Sequence, residues 1–217
     1  MKKIKIAIVG AGSSYTPELV EGLYTHRNTL PVKEIVLVDV DKKRLNIMDG
    51  FIKRFVKHLN FDVKVWSTDS REEAFTDADF ISTQIRVGGN KARINDEKIP
   101  LKYGLIGQET TGAGGMFNAF RVIPIMIDIA KDVEKYCPDA WIINYSNPTG
   151  LVTEALNKVC NVKIAGLCAG GMRPRWWAVE ALDEPEETIF YDYLGLNHMN
   201  FTYNMTINGN PPNRFSI

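Results

Sequence analysis

The sequence predicts an α/β fold: a Rossmann-type, doubly wound, mostly parallel sheet followed by the start of a second, α+β region. Three observations carry this expectation. Short apolar runs alternate with amphipathic stretches along nearly the whole chain, which is the pattern of βαβ units. The first apolar run leads through Gly-Ala-Gly into a helical pattern, in "IAIVGAGSSYTPELVEGL". The second run, "EIVLVD", ends on a carboxylate, where a parallel nucleotide-binding sheet carries its ribose-binding acid.

Taken in order, the strand candidates are "KIKIAIVG", "EIVLVD", "DVKVWS", "ADFISTQI", "AWIINYS", "VKIAGLC" and "TIFYDYLG". Each is short, largely apolar and rich in β-branched or aromatic residues, as a buried strand requires. Four helical patterns lie between them: "TPELVEGLYTH", "DKKRLNIMDGFIKRFVKHL", "MFNAFRVIPIMIDIAKDVEKYC" and "GLVTEALNKVC". Pro124 inside the third predicts a kink rather than an end. The tail "NFTYNMTINGNPPNRFSI" begins with strand-like alternation and runs into turn residues. The expected division is a Rossmann-type domain over 1–167 and the beginning of a second region over 168–217, with more of that region expected to follow.

Composition limits the function classes. Of 217 residues, 45% are hydrophobic and 24% charged, with 26 basic and 26 acidic residues balancing to zero. No basic stripe marks a nucleic-acid partner or an anionic membrane. The opening "MKKIKIAIVG" mimics a signal peptide, but its apolar run is short and meets "GAGSSYTPE" rather than a cleavage site, so it reads as the first strand. No stretch approaches the roughly 20 apolar residues of a membrane span. Cys137, Cys160 and Cys168 are an odd number and make no disulfide framework. A cytoplasmic protein is expected.

The residues that carry chemistry cluster after predicted strands. Gly10 permits a tight turn and Gly12 a close backbone approach to a pyrophosphate. Ser13, Ser14 and Tyr15 lead into a helix whose first N–H groups attract an anion. Tyr15 stands where a third glycine is usual. Asp39 is placed to bind a ribose hydroxyl pair, favouring NAD over NADP, although Lys42, Lys43 and Arg44 lie close by. A plain strand-to-helix turn with a polar cap is the alternative. After "ADFISTQI", Arg86 is a further cofactor-binding candidate. Arg93 follows Gly88 and Gly89 on a helix start and can clamp a phosphate or carboxylate; a solvated surface charge is the alternative. "GLIGQETTGAGG" packs five glycines around polar residues and reads as a loop shaped around a ligand or a subunit contact. Asn147, before Pro148, can offer its amide to a substrate oxygen or cap the next helix with the same atoms. Cys168 closes one strand and His198 follows the next, which would put thiolate and imidazole on one edge of one sheet as ligands of a transition metal. A small core cysteine and a structurally satisfied histidine are the bland readings.

Together, "GAGSSYTPELVEGL", "IRVGGNKARINDEKIPLKYGLIGQETTGAGG", "NYSNPTGLVTEAL" and "GLNH" closely resemble glycoside hydrolase family 4, in particular its 6-phospho-β-glucosidases and related 6-phospho-glucosidases. The resemblance runs from about residue 4 to 205. It implies membership of the lactate and malate dehydrogenase-like Rossmann group and a glycosidase that works by redox, an exception to the two-carboxylate scheme. NAD+ would take hydride from C3 of a phosphorylated sugar, C2 would lose a proton, the glycosidic oxygen would leave, water would add and hydride would return. A divalent metal, usually Mn2+, would be held by Cys168 and His198 and would polarise the C2 and C3 oxygens. Arg93 and Asn147 match substrate-binding residues. The family's tyrosine base, much of its oligomer interface and further phosphate contacts would lie beyond residue 217, so a homo-oligomer is expected of the full-length form. Between 169 and about 187 the resemblance breaks: the family's Asn or Asp after the cysteine is Ala169 here. Two alternatives stay open, a catalytically inactive NAD-binding fragment and a lactate- or malate-type 2-hydroxy acid dehydrogenase. The latter would need a histidine–carboxylate pair in a run such as "GEHG", which the chain lacks.

Overall fold

Strand β1 (Ile4–Val9) is apolar on both sides, with Ile6 and Ile8 entering one hydrophobic layer and Ala7 and Val9 the other. Burial on both faces is what a near-continuous apolar run imposes on a parallel strand. A computed structural model describes residues 2–196 and 198–212, and the chain divides into two compact units, Met1–Leu167 and Cys168–Ile217.

The first unit is a six-stranded parallel sheet ordered β3-β2-β1-β4-β5-β6. Its other strands are β2 (Val32–Val38), β3 (Lys64–Thr68), β4 (Phe80–Thr83), β5 (Trp141–Asn144) and β6 (Lys163–Gly166). On one face lie α1 (Thr16–Thr25) and α2 (Lys42–His58), whose Val20, Leu23, Leu45, Ile52 and Val56 pack on Ile6, Ile8, Ile35 and Leu37. The opposite face takes α3 (Arg71–Phe75), α5 (Gly112–Tyr136) and α6 (Thr149–Val159), through Phe75, Val122, Met126, Ile129, Val152 and Leu156. The strand order reverses direction between β1 and β4, which opens a crevice at their carboxyl ends. Asp41 starts α2 by accepting from the Lys43 and Arg44 N–H groups, a side-chain cap for two otherwise unpaired donors.

Two expectations are corrected around α5. "GLIGQETTGAGG" is not all loop: Gly112 to Gly115 form the first turn of the helix. Gly114 and Gly115 there serve packing, since a Cβ on the first would stand 2.1 Å from the Gln108 carbonyl oxygen and on the second 2.7 Å from the Thr110 carbonyl oxygen. A short helix, α4 (Gly89–Leu101), precedes that loop and is tied to α5 by a paired Asp96–Arg121 bridge. Secondly, α5 is long and apolar enough to cross a membrane. One side of it forms the core against β4 and β5, which accounts for the apolarity. Pro124 sits inside this helix without ending it.

The second unit holds a 3-10 turn (Ala169–Gly171), α7 (Arg173–Leu182), a second 3-10 turn (Glu186–Thr188) and the strands β7 (Ile189–Leu196) and β8 (Met199–Ile207). Strand β7 does not join the parallel sheet, contrary to expectation. It pairs antiparallel with β8 in a separate two-stranded sheet. A two-residue connection between paired Leu196 and Met199 permits only a hairpin, because a parallel partner needs a crossover of a dozen residues or more. Asn197 of the "GLNH" stretch lies outside the described residues.

Candidate functional site

In the first unit the glycine turn grows out of β1. Gly10 has a φ of 86°, a left-handed conformation natural to glycine. Its N–H and that of Ala11 both donate to the Val38 carbonyl, at 2.9 and 3.0 Å. A Cβ at Gly10 would lie 2.7 Å from the Gln84 carbonyl oxygen, so the turn is pressed against the end of β4. Gln84 closes the join, its side-chain amide donating to the Gly10 carbonyl at 3.3 Å and to the Thr16 hydroxyl at 2.6 Å. Ser13 accepts from the Tyr15 N–H at 3.2 Å, while Ser14 and Tyr15 are exposed at the start of α1.

Asp39 follows β2 immediately. One carboxylate oxygen accepts from the Gly12 N–H at 2.8 Å and the other from the Asp41 N–H at 2.9 Å. A Cβ on Gly12 would stand 2.9 Å from that same Asp39 oxygen and from Arg44 Cβ. The second glycine therefore admits the acid and α2 as well as any ligand. An ionised carboxylate offers about four acceptor positions, so Asp39 keeps capacity for a hydroxyl pair.

Arg86 and Arg93 meet on one carboxylate. Arg86 pairs with Glu109, and Arg93 approaches the other Glu109 oxygen at 3.6 Å while donating to Glu97 at 2.8 Å. The Glu97 hydrogen bond, reinforced by the Glu109 charge, raises the Arg93 pKa above its ordinary value. Two guanidiniums and two carboxylates cancel there, so an incoming anion must share donors already engaged. Sequence reading found the arginines and set Glu109 in a loop shaped around a ligand or a subunit contact, but passed over Glu97, which looks like an ordinary surface charge in "INDEK".

At the end of β5 a buried polar network replaces the apolar pattern. Asn144 accepts from the Thr83 hydroxyl at 2.9 Å and the Ser146 N–H at 3.0 Å, and Ser146 accepts from the Ile85 N–H at 2.9 Å. Asn147 comes next, with its carbonyl held by Asn118 at 3.2 Å and its peptide to Pro148 cis. The expected alternative, capping of α6, is not realised: the cap position is Pro148, without a side-chain cap bond. The sequence signal for this network is the polar Asn144 closing an otherwise apolar strand.

In the second unit Cys168 precedes the 3-10 turn, and its sulfur accepts from the Gly170 N–H at 3.4 Å. His198 occupies the hairpin connection with a φ of 64°, and its Nε2 lies 3.4 Å from the Cys168 sulfur. Tyr191 on β7 donates to the Gly171 carbonyl, tying the hairpin to the cysteine loop. Two ligands of one ion, at about 2.3 Å for sulfur and about 2.1 Å for nitrogen, stand roughly 3.1 to 3.6 Å apart for angles between square and tetrahedral. The donor pair fits a borderline-soft divalent cation. Among the described residues no group of three or more such ligands occurs, so further positions would fall to water or substrate oxygens. Burial pushes the Cys137 thiol up to about 11 and also raises that of Cys160.

The chain is 45% identical over 211 residues to a probable 6-phospho-beta-glucosidase of Bacillus subtilis (strain 168), covering 96% of this chain and 48% of the relative. It superposes with a TM-score of 0.86 on the 6-phospho-beta glucosidase from Thermotoga maritima solved with manganese, NAD+ and glucose-6-phosphate, at 40% identity over 95% of this chain and 50% of that one. A 6-phospho-alpha-glucosidase from gut microorganisms, in complex with NAD and glucose-6-phosphate, gives 0.89 at 39% identity, covering 96% and 48%. The chain thus spans about half the length of the curated relatives it matches. The model of the family 4 glycosyl hydrolases matches residues 5–173, most of the chain, and the protein belongs to that family.

Proposed function

We propose that the chain binds NAD+ in its first unit and a divalent metal, Mn2+ for preference, through Cys168 and His198. In the whole protein these would serve hydrolysis of a 6-phospho-glucoside by oxidation at C3, loss of the C2 proton, elimination, addition of water and re-reduction. The observation that carries the reading is the 3.4 Å approach of the Cys168 sulfur to the His198 imidazole, supported by the solved relative that contains manganese, NAD+ and glucose-6-phosphate.

The roles follow from chemistry. Gly10 and Gly12 bring backbone N–H groups and the start of α1 towards a pyrophosphate, with Ser13, Ser14 and Tyr15 at the turn. Asp39, anchored by two N–H donors, takes the adenosine ribose hydroxyls. Arg86 borders the cofactor. Arg93 and Asn147 bind the phosphorylated sugar, the first as a donor fork and the second through its amide. Cys168 and His198 hold the cation. NAD+ when bound supplies a hydride acceptor and then donor; the metal supplies Lewis acidity at the sugar oxygens.

Calorimetry on the 217-residue chain should show NAD+ and Mn2+ binding. Cys168→Ser and His198→Ala should each weaken Mn2+ at least tenfold, on the order seen when a metal site loses a ligand or its support, and leave NAD+ affinity unchanged. Unaltered Mn2+ affinity in both variants removes the metal assignment. Where turnover of a 6-phospho-glucoside is observed, it should require both NAD+ and Mn2+ and exchange C2 hydrogen with solvent deuterium; turnover after NAD+ is stripped excludes the redox route. Because the chain spans half of its relatives, a second reading is binding without turnover, and any catalysis by the 217-residue chain rules it out.

A further inference from the structure

Two half-exposed tyrosines meet edge to face where the sheet reverses direction. Tyr15 ends the turn that follows β1, and Tyr145 is the first residue past β5. Their ring centroids lie 6.0 Å apart at an interplanar angle of 69°. Between the strands that bear them runs β4 alone, in the order β1-β4-β5. The pair therefore bridges the carboxyl end of β4, beside the β1–β4 crevice. Tyr15 is 52% and Tyr145 42% exposed.

We propose that Tyr145, together with Tyr15, is the stacking surface for the nicotinamide ring and favours its oxidised, cationic form. The proposal rests on the dinucleotide reading above. With the pyrophosphate on the β1 turn and the adenosine ribose on Asp39 after β2, the other half of the molecule must extend in the opposite direction, over β4 and β5. Tyr145 stands in that direction on a fixed support. Its N–H donates to the Thr83 carbonyl at 2.8 Å, and both flanking side chains, Asn144 and Ser146, are buried and hydrogen-bonded.

Charge decides which redox form gains. A pyridinium cation would be repelled by Arg86 and Arg93 alone. Glu109 and Glu97 pair with those arginines and cancel their field, leaving the electron-rich tyrosine faces as the net attraction for a cationic ring. Reduced nicotinamide is neutral and keeps only the stacking part. Nothing in the sequence pairs these residues, 130 positions apart; the parallel sheet alone brings them together.

The test uses the 217-residue chain with NAD+, NADH and ADP-ribose, which lacks nicotinamide. Tyr145→Leu should weaken NAD+ about tenfold, in line with a desolvated cation–π contact, weaken NADH less, and leave ADP-ribose unchanged. Tyr145→Phe should stay within about twofold of the parent for all three, since the ring face is kept. Equal losses for NAD+ and ADP-ribose, or no loss for either, overturn the proposal. Should the leucine variant not fold, nitration of the parent chain by tetranitromethane decides: NAD+ but not ADP-ribose should protect Tyr145, and equal protection or none sinks the idea. A parent chain that binds neither NAD+ nor ADP-ribose removes the dinucleotide reading itself, a distinct failure that takes this proposal with it.

Discussion

At the scale of single residues, backbone constraint and burial dominate. Gly10 combines a φ of 86° with a Cβ position 2.7 Å from a carbonyl oxygen. Gly10→Ala meets both penalties, and strain of this kind costs about 1–3 kcal/mol. Urea titration should register that loss together with weakened NAD+ binding; an alanine variant as stable as the parent would mean that the β1–β4 join gives way easily. Cys137 is 6% exposed, and burial holds its thiol near 11 against an ordinary 9.0. The folded state then keeps a proton that the unfolded chain releases. This group's contribution is complete below pH 9.0 and is lost as pH rises towards 11. Stability should fall across that window, and Cys137→Ala should flatten the fall.

Elements meet functional side chains through polar joints at strand ends. β4 and β5 finish in Thr83 and Asn144, which bond to each other at 2.9 Å inside the core. Asn144 also receives the Ser146 N–H and so shapes the loop that presents Tyr145 and Asn147. Asn144→Ala strands two buried donors, each worth about 1–3 kcal/mol when left unpaired. Thermal unfolding should show a clear loss of stability, with NAD+ affinity falling as the loop loosens; full stability would show that water replaces the amide without cost. The same scale explains the helices that periodicity passed over. α4 has Asp96 as a buried charge, paired with Arg121 of α5, and α7 carries Trp176 and Trp177 half-exposed or more. Neither has the clean apolar stripe by which helices are read from sequence.

For the whole molecule the division at Leu167 and Cys168 has a chemical counterpart. Every candidate NAD residue lies in the first unit, which carries both sheet faces of the core. The proposed metal ligands, Cys168 and His198, both lie in the second. A chain ending at residue 167 should fold cooperatively and bind NAD+ within a few-fold of the parent while losing Mn2+ binding. A truncated chain that fails to fold would show that the first unit is not stable by itself.

The sequence by itself determined the parallel sheet, the glycine turn and the acid after β2, because each follows from local rules: apolar runs of strand length, a residue free to take positive φ, a polar residue ending a buried strand. It also supplied Cys168 and His198 as a pair, from their places after two strands and from the family resemblance. The expected common edge of one sheet is not what brings them together, since β7 lies in a separate hairpin. Tertiary structure decided what depends on pairing across sequence. It turned β7 into half of a hairpin and set the histidine in its connection, since strand partnership is chosen by available edges and connection length. It enlisted Glu97 and Glu109 to neutralise two arginines, made the "GAGG" stretch helical by close packing, and set Tyr15 against Tyr145. Residues far apart in the chain become neighbours only when the parallel sheet orders its strands, and no local pattern records that order.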